Sequence, residues 1–220
     1  WDKEISVHSI LLQEVNSGSV FHPIISIEVY MTKYKGLIFD LDGVIANTAQ
    51  YHFQAWQKLA HAIGGHLSPN QYKKLKGVSR MESLDLILLW NSIGLNPEHK
   101  NILAKRKNQL YQHLISDLQP SDTLPGVVPF IQEAKAMGFQ IGLGSASTNA
   151  KTVLEALELT SLFDVMVDGT QTDLSKPDPQ VFTKGAEQME LHPQEIIVFE
   201  DGIRGIEAAL AGGFTAVGVG

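Results

Sequence analysis

Five short, mostly apolar stretches occur along the chain, at residues 36–39, 139–144, 164–167, 196–199 and 215–218. Turn-forming or charged residues bound each one, and an unbroken apolar run of this length is typical of a β-strand covered on both faces. Helical patterns separate the last four stretches. This alternation of strand and helix predicts an α/β fold with a doubly wound, Rossmann-like parallel sheet.

The region between the first two stretches has a different pattern. From residue 48 to residue 119 we find only helical patterns, interrupted by glycine and proline, with Thr48 in position to cap the first helix. An all-helical block inserted between a strand and later strand–helix units predicts a separate small domain. The predicted division is therefore an α/β core, residues 31–47 and 120–220, with an inserted helical cap domain, residues 48–119.

Residues 1–30 do not fit this organisation. Loop-forming residues, Ser17-Gly18-Ser19 and Pro23, precede a short alternating stretch. We predict an N-terminal extension of unknown role. The chain stops on Val219-Gly220 without a closing helix, so a further C-terminal piece is also expected.

Composition narrows the classes of function. The chain has 220 residues and a formal net charge of −7, and its basic residues are dispersed apart from Lys105-Arg106-Lys107. We therefore expect no nucleic-acid partner and, without a long apolar run, no membrane partner. The absence of cysteine excludes disulfide scaffolds and thiolate metal sites. A monomeric, cytoplasmic protein that acts on small molecules is the expectation.

Two carboxylates follow the first apolar stretch directly. Asp40 and Asp42 are separated by one residue, and Gly43 permits a sharp turn behind them. Ligands of open parallel sheets bind beyond the carboxyl ends of the strands, and two like charges this close favour a shared proton or a bound cation such as Mg²⁺. An acidic turn without chemistry is the alternative for this motif taken alone.

Three later strand ends also carry polar groups. They are Ser145 with the loop to Asn149, Lys176, and Glu200 with Asp201. Carboxylates suit Mg²⁺, a hydroxyl with backbone N–H groups at a helix start suits phosphate, and lysine supplies a point charge. Taken singly, each has a structural explanation as a helix cap, a surface charge or a turn. Taken together, they predict phosphoryl transfer.

The motifs FDLDG at 39–43, the Ser145 loop, Lys176-Pro177 and Glu200-Asp201 resemble, in order, the four motifs of the haloacid dehalogenase superfamily of phosphotransferases. The resemblance covers residues 31 to 220. Stretches at 49–56, 75–80, 104–108, 145–149 and 175–179 are further similar to the beta-phosphoglucomutase family within it.

The resemblance implies a role for each motif. Asp40 would be the nucleophile that forms an aspartyl phosphate, and Asp42 the general acid and base. Ser145 and Lys176 would neutralise and orient the phosphoryl oxygens. Mg²⁺ would be held by Asp40, the backbone carbonyl of Asp42, Asp201 and a nearby or ligating Glu200.

The resemblance also implies a substrate site. Arg80 would grip the phosphate that is not transferred, with Lys107 in support, while Thr48 and His52 would couple closure of the cap to the placement of Asp42. The residues expected to meet the sugar phosphate come from the helical region and the Ser145 loop: Trp56, Gly77, Val78, Ser79, Arg80, Lys107, Ala146, Ser147 and Asn149.

The activity implied is interconversion of beta-glucose 1-phosphate and glucose 6-phosphate through glucose 1,6-bisphosphate, which serves as activator and intermediate. A Mg²⁺-dependent sugar-phosphate phosphatase is the alternative, since the core motifs are common to both. A catalytically silent sugar-phosphate-binding module is a third possibility, against which the intact Asp40 and Asp42 argue.

Overall fold

The computed structural model describes residues 33–219. The predicted extension at residues 1–30 lies outside this range. Within it, five parallel strands form one sheet: β1 (Gly36–Phe39), β2 (Gln140–Gly144), β3 (Val165–Val167), β4 (Ile196–Glu200) and β5 (Thr215–Gly218). Their order across the sheet is β3-β2-β1-β4-β5. The predicted parallel α/β sheet is confirmed, with β1 at its centre.

The register of the central strands aligns their carboxyl ends. Phe39, the last residue of β1, pairs with Leu143 on one side and Phe199 on the other. The residues that follow these three strand positions therefore meet at one edge of the sheet. Asp40, Gly144 and Glu200 are those residues.

Helices cover both faces of the sheet. On β1, Leu37 and Phe39 belong to one buried apolar cluster and Ile38 to another, because successive side chains of a strand point to opposite faces. The helices of the α/β core are α5 (Val127–Ala136), α6 (Ala150–Ala156), α7 (Gln180–Gln188) and α8 (Ile203–Ala211). Helices α5 and α6 supply residues to the first cluster, and α7 and α8 to the second.

Four helices connect β1 to the rest of the core. They are α1 (Ala49–Ala62), α2 (Pro69–Lys73), α3 (Arg80–Trp90) and α4 (Pro97–Leu114). We call residues 48–119, which comprise these helices and their connecting loops, the helical block. A third apolar cluster, which includes Trp56, Leu59 and Ile87, lies within this block. In the described part of the chain, no helix combines the length and apolar character needed to cross a membrane.

The predicted capping role of Thr48 is wrong. Thr48 is the residue before α1, but its side chain makes no hydrogen bond to the first turn of the helix. Its hydroxyl instead donates to the carboxylate of Asp42. The backbone of Thr48 is helical, with φ of −81° and ψ of −14°, whereas a capping residue is usually extended. Its hydroxyl bonds instead to a charged acceptor, and such hydrogen bonds are stronger than those between neutral groups.

Ile38 fills the second face of the central strand. Its side chain is fully buried, and a Cβ added at Gly144 or Gly185 would lie only 3.0 Å from its atoms. We expect Ile38→Ala to lower the free energy of unfolding by about 2–5 kcal/mol, because a cavity would remain in tightly packed surroundings. Denaturant unfolding measures this change. Leu89→Ala, at a side chain that is 71% exposed, should change stability by less than about 0.5 kcal/mol, and equal effects would contradict the assignment.

Candidate active site

Lys176 is the central cation of the sheet edge. Its side chain is 1% exposed, and Nζ lies 2.7 Å from Asp40 Oδ1, 3.2 Å from the carbonyl of Gly144 and in hydrogen-bond contact with Glu200. Burial alone would favour the neutral amine, but the two carboxylates prevail and raise the pKa of Lys176 above its ordinary value. The ammonium therefore stays charged beside Asp40.

Three carboxylates converge next to this lysine. One oxygen each of Asp40, Glu200 and Asp201 lies within 4.8 Å of the others. Glu200 also accepts a 2.9 Å hydrogen bond from the backbone N–H of Gly202, which fixes its second oxygen. Asp201 pairs with Lys76 from the helical block. Such a set of hard oxygen atoms can hold a divalent cation.

Two glycines make room for this cluster. Gly43 has a φ of +92°, and a Cβ there would lie 2.1 Å from Asp201 Oδ2. A Cβ at Gly205 would lie 1.9 Å from Cδ of Glu200. Any side chain at either position would displace a carboxylate, so the acidic cluster depends on both glycines.

Asp42 lies apart from the acidic cluster and faces the helical block. It accepts the hydroxyl of Thr48, and its Oδ2 lies 3.5 Å from Nε2 of His52. Burial raises the pKa of Asp42, partly offset by the Thr48 hydrogen bond. A carboxyl with a raised pKa holds and releases a proton more readily near neutral pH, which suits acid and base catalysis.

His52 connects Asp42 to Lys107. Nζ of Lys107 lies 2.6 Å from Nδ1 of His52, and the imidazole stacks on Tyr111 with ring centroids 3.8 Å apart. While Lys107 is protonated its ammonium can only donate, so Nδ1 accepts and the ring proton is on Nε2, which faces Asp42. Burial and the charge of Lys107 lower the pKa of His52 well below its ordinary value, so the ring is neutral.

The loop after β2 presents backbone donors and small side chains. Ser145 Oγ accepts from the N–H of Ser147, and Ser147 Oγ accepts from the N–H of Asn149. The side chain of Asn149 contacts Asn108 and Gln112 of α4. The loop thus joins the core to the helical block before α6 begins.

A cavity of about 130 Å³ lies between the sheet edge and the helical block. Its wall contains most of the residues predicted from the sequence: Asp40, Asp42, His52, Trp56, Gly77, Val78, Ser79, Arg80, Lys107, Ala146, Ser147 and Asp201. Five predicted residues do not line it. Thr48, Ser145, Asn149 and Lys176 instead bond to lining residues, and Glu200 bonds to Lys176.

Several residues of the site were not predicted from the sequence. Tyr72 and Thr148 line the cavity, and Arg80 donates a hydrogen bond to Thr148 across it. Lys76 contacts Asp201 from the helical block. Lys76 lies in the motif stretch 75–80 and Thr148 in the stretch 145–149, which were usable signals, whereas Tyr72 follows no pattern that singles it out.

Comparison with known proteins agrees with this geometry. The family model of haloacid dehalogenase-like hydrolases matches residues 34–213. The chain belongs to the haloacid dehalogenase-like hydrolase family. The resemblance seen in its four motifs is thereby confirmed.

Individual members of this family are similar over most of the chain. Beta-phosphoglucomutase of Bacillus subtilis is 40% identical over 190 residues, 84% of this chain and 83% of its own. Fructose-1-phosphate phosphatase of Escherichia coli is 32% identical and covers 85% of this chain and 97% of its own. The crystal structure of beta-phosphoglucomutase from Clostridium difficile is 40% identical, covers 85% of each chain and superposes with a TM-score of 0.82. Both types of enzyme act on sugar phosphates.

Lys107 gives this haloacid dehalogenase-like site a measurable pH dependence. Burial, and then the charge of Arg80, lower its pKa from 10.5 to about 7. Between these two pH values the unfolded chain binds a proton that the native protein does not, so the contribution of Lys107 to the free energy of unfolding increases as pH rises.

We therefore expect the native protein to gain stability relative to Lys107→Met from pH 7 towards pH 10, by an amount on the order of a few kcal/mol. Denaturant unfolding of both proteins at several pH values measures the difference. Lys105→Met, at an exposed position of the same helix, serves as the control. Parallel stability curves for native protein and Lys107→Met would contradict a depressed pKa.

Proposed function

We propose that the protein is a Mg²⁺-dependent beta-phosphoglucomutase, which interconverts beta-glucose 1-phosphate and glucose 6-phosphate through glucose 1,6-bisphosphate. One observation carries the proposal: a single cavity is lined by Asp40 and Asp42 from the core and by Arg80 and Lys107 from the helical block. A mutase must hold a transferring and a second phosphate at once, which requires basic groups away from the nucleophile. The 40% identity to the Bacillus subtilis mutase supports the same activity.

Asp40 is the proposed nucleophile. Its Oδ1 is bonded to the ammonium of Lys176, which leaves the other carboxylate oxygen for attack on phosphorus. Formation of the aspartyl phosphate releases the sugar hydroxyl, and Asp42 supplies the proton that this oxygen takes up. In the reverse transfer Asp42 removes the proton of the accepting hydroxyl, so one carboxyl serves both directions.

Lys176 and the loop after β2 neutralise the transferring group. The ammonium of Lys176 is fixed by three oxygen contacts and needs little reorganisation when charge develops on the phosphoryl oxygens. Ser145 positions the N–H of Ser147 behind the cavity wall. We assign Ser147 and Asn149 to the core side of the substrate site, and Arg80 to the distal phosphate.

The acidic cluster fits Mg²⁺. Its three carboxylates converge within 4.8 Å, and the two lysines that pair with them, Lys176 and Lys76, leave an excess of negative charge that favours a bound cation. We assign the ion to Asp40, Asp201, Glu200 and the backbone carbonyl of Asp42. When bound, Mg²⁺ would add positive charge against the phosphoryl oxygens.

We further propose that the helical block, residues 48–119, acts as a movable cap over the core at residues 31–47 and 120–220. Both parts contribute residues to the wall of the cavity, so their separation would widen the access of substrate to it. Closure excludes water from the site. The aspartyl phosphate is thereby protected from hydrolysis, and glucose 1,6-bisphosphate can reorient between the two phosphoryl transfers. Cytoplasmic location and a monomeric state remain predictions from the sequence.

The direct test supplies the purified protein with Mg²⁺, beta-glucose 1-phosphate and a trace of glucose 1,6-bisphosphate. Glucose 6-phosphate should form well ahead of free phosphate, with both products followed in parallel. Asp40→Asn removes the nucleophilic carboxylate and should lower turnover by at least about a thousandfold. Asp117→Asn, at an exposed carboxylate near the end of the helical block, should behave as the native protein.

Free phosphate as the main product would replace the mutase proposal with the phosphatase activity of the Escherichia coli relative. Absence of turnover with either product would favour the silent binding module. Full activity of Asp40→Asn would contradict the assignment of the nucleophile under any of these functions.

Gly205 offers a test of the metal site that does not depend on turnover. Gly205→Ala would place Cβ against Cδ of Glu200 and force the carboxylate out of the cluster. We expect affinity for Mg²⁺ to fall about 10- to 100-fold, as for other changes that displace a metal-supporting group. Isothermal titration of the substrate-free protein with Mg²⁺ measures it. Gly94→Ala, where a Cβ meets open space, is the control, and unchanged affinity in Gly205→Ala would remove Glu200 from the site.

A further inference from the structure

Glu82 of the helical block makes two contacts with the core. Its Oε1 accepts a hydrogen bond from Nη1 of Arg204 at 2.8 Å, and its Oε2 accepts from Oγ of Ser175 at 2.8 Å. Glu82 lies in the first turn of α3, whereas Arg204 lies in α8 and Ser175 in the loop before α7. One carboxylate thus joins three separate parts of the fold.

Both partners of Glu82 act on the segment that carries Lys176. Ser175 is the residue directly before Lys176, and Nη1 of Arg204 also donates to the backbone carbonyl of Lys176 at 3.2 Å. The helical block therefore holds the backbone of Lys176 from the outside, while Asp40 and Glu200 hold its ammonium from the inside.

At Gly77 the backbone of the helical block passes close to the core. Gly77 has a φ of +74°, and a Cβ at that position would lie 3.2 Å from Cδ of Lys176 and 3.8 Å from Cβ of Arg204. The chain of the helical block passes directly over Lys176 and Arg204. Glu82 itself does not line the substrate cavity, so it has no contact with the reacting groups.

We propose that Glu82 and Arg204 form a latch that positions Lys176 for phosphoryl transfer only when the helical block is closed. Opening the block withdraws Glu82, which frees Ser175 and leaves Arg204 without its carboxylate partner. The loop of Lys176 then loses its direct contact with Glu82, and the arginine that bonds its backbone is no longer held in place by a carboxylate. Glu82 and Arg204 are positioning residues in this proposal, which rests on the assignment of Lys176 to phosphoryl transfer.

The side chains of Glu82 and Arg204 are 39% and 33% exposed. Solvent screens such a pair, so its contribution to global stability is small and the folded structure does not depend on it. Its effect is instead local, because Glu82 bonds the side chain of Ser175 and also holds Arg204, which bonds the backbone carbonyl of Lys176. Neutral variants of both residues are therefore expected to fold.

The first experiment measures amide hydrogen exchange in substrate-free protein, for residues 173–178 around Lys176. The N–H of Asp178, which bonds to the carbonyl of Ser175 at 3.0 Å, reports on the same turn. Glu82→Gln should raise the exchange rate of this segment about two- to fivefold, the scale set by losing one partly exposed ion pair. Glu98→Gln, an exposed glutamate in the first turn of α4, is the matched control.

The second experiment measures kcat and KM for conversion of beta-glucose 1-phosphate. Glu82→Gln should lower kcat about three- to tenfold, because a misplaced charge stabilises the transition state less, and should leave KM within about twofold. Arg204→Gln should do the same, and the double variant should be no slower than the slower single variant. Arg106→Gln, at an exposed arginine of α4, controls for the loss of positive charge.

An unchanged rate of amide hydrogen exchange at residues 173–178 in Glu82→Gln would contradict the latch proposal. Additive losses of kcat in the double variant would also contradict it. A rise in KM with constant kcat would also overturn it, since that result indicates a role in substrate binding. If exchange increases as expected but the native protein releases only free phosphate or shows no turnover, the latch stands and the mutase proposal fails.

Discussion

The burial of one lysine charge determines how the rest of this molecule is arranged. The ammonium of Lys176 lies at the end of the central strand, where almost no water reaches it, and it forms ion pairs with Asp40 and Glu200, which supply compensating charge. A buried cation is tolerated when its partners have good geometry and its remaining protons are bonded. The carbonyl of Gly144 accepts the third hydrogen bond, so each donor has a partner.

Neutralisation of the Lys176 charge depends on residues that are far apart in the sequence. Asp40 must follow β1 and Glu200 must end the neighbouring strand β4 in the same register, although the helical block, β2 and β3 separate these two strands in sequence. Gly205 must lack a side chain so that Glu200 can approach. The fold and the proposed reaction therefore depend on the same two carboxylates. Asp40 and Glu200 neutralise Lys176, both are proposed ligands of Mg²⁺, and Asp40 is also the proposed acceptor of the phosphoryl group.

Local pattern was enough to predict the strands and the groups at their ends. The apolar run Gly36–Phe39 followed by Asp40 predicted both the central strand and its acidic tip, since burial and parallel pairing leave few alternatives. Lys107 shows the limit of this reasoning. Its place in a run of basic residues is typical of a solvated helix face, yet it is 2% exposed, beside His52 and over Trp56. Contacts such as Arg204 with Glu82, 122 positions apart, exist only once the helical block meets the core.

Thr48 illustrates a conflict that matters for engineering heat resistance. Helix α1 starts without a side-chain cap, and the Thr48 hydroxyl donates its hydrogen bond to Asp42. Procedures that strengthen helix ends by inserting aspartate would select this position, because aspartate is among the best capping residues. The new carboxylate would face Asp42, repel it and deprive it of its hydrogen bond. A tighter helix would then be obtained at the expense of the group proposed to move protons.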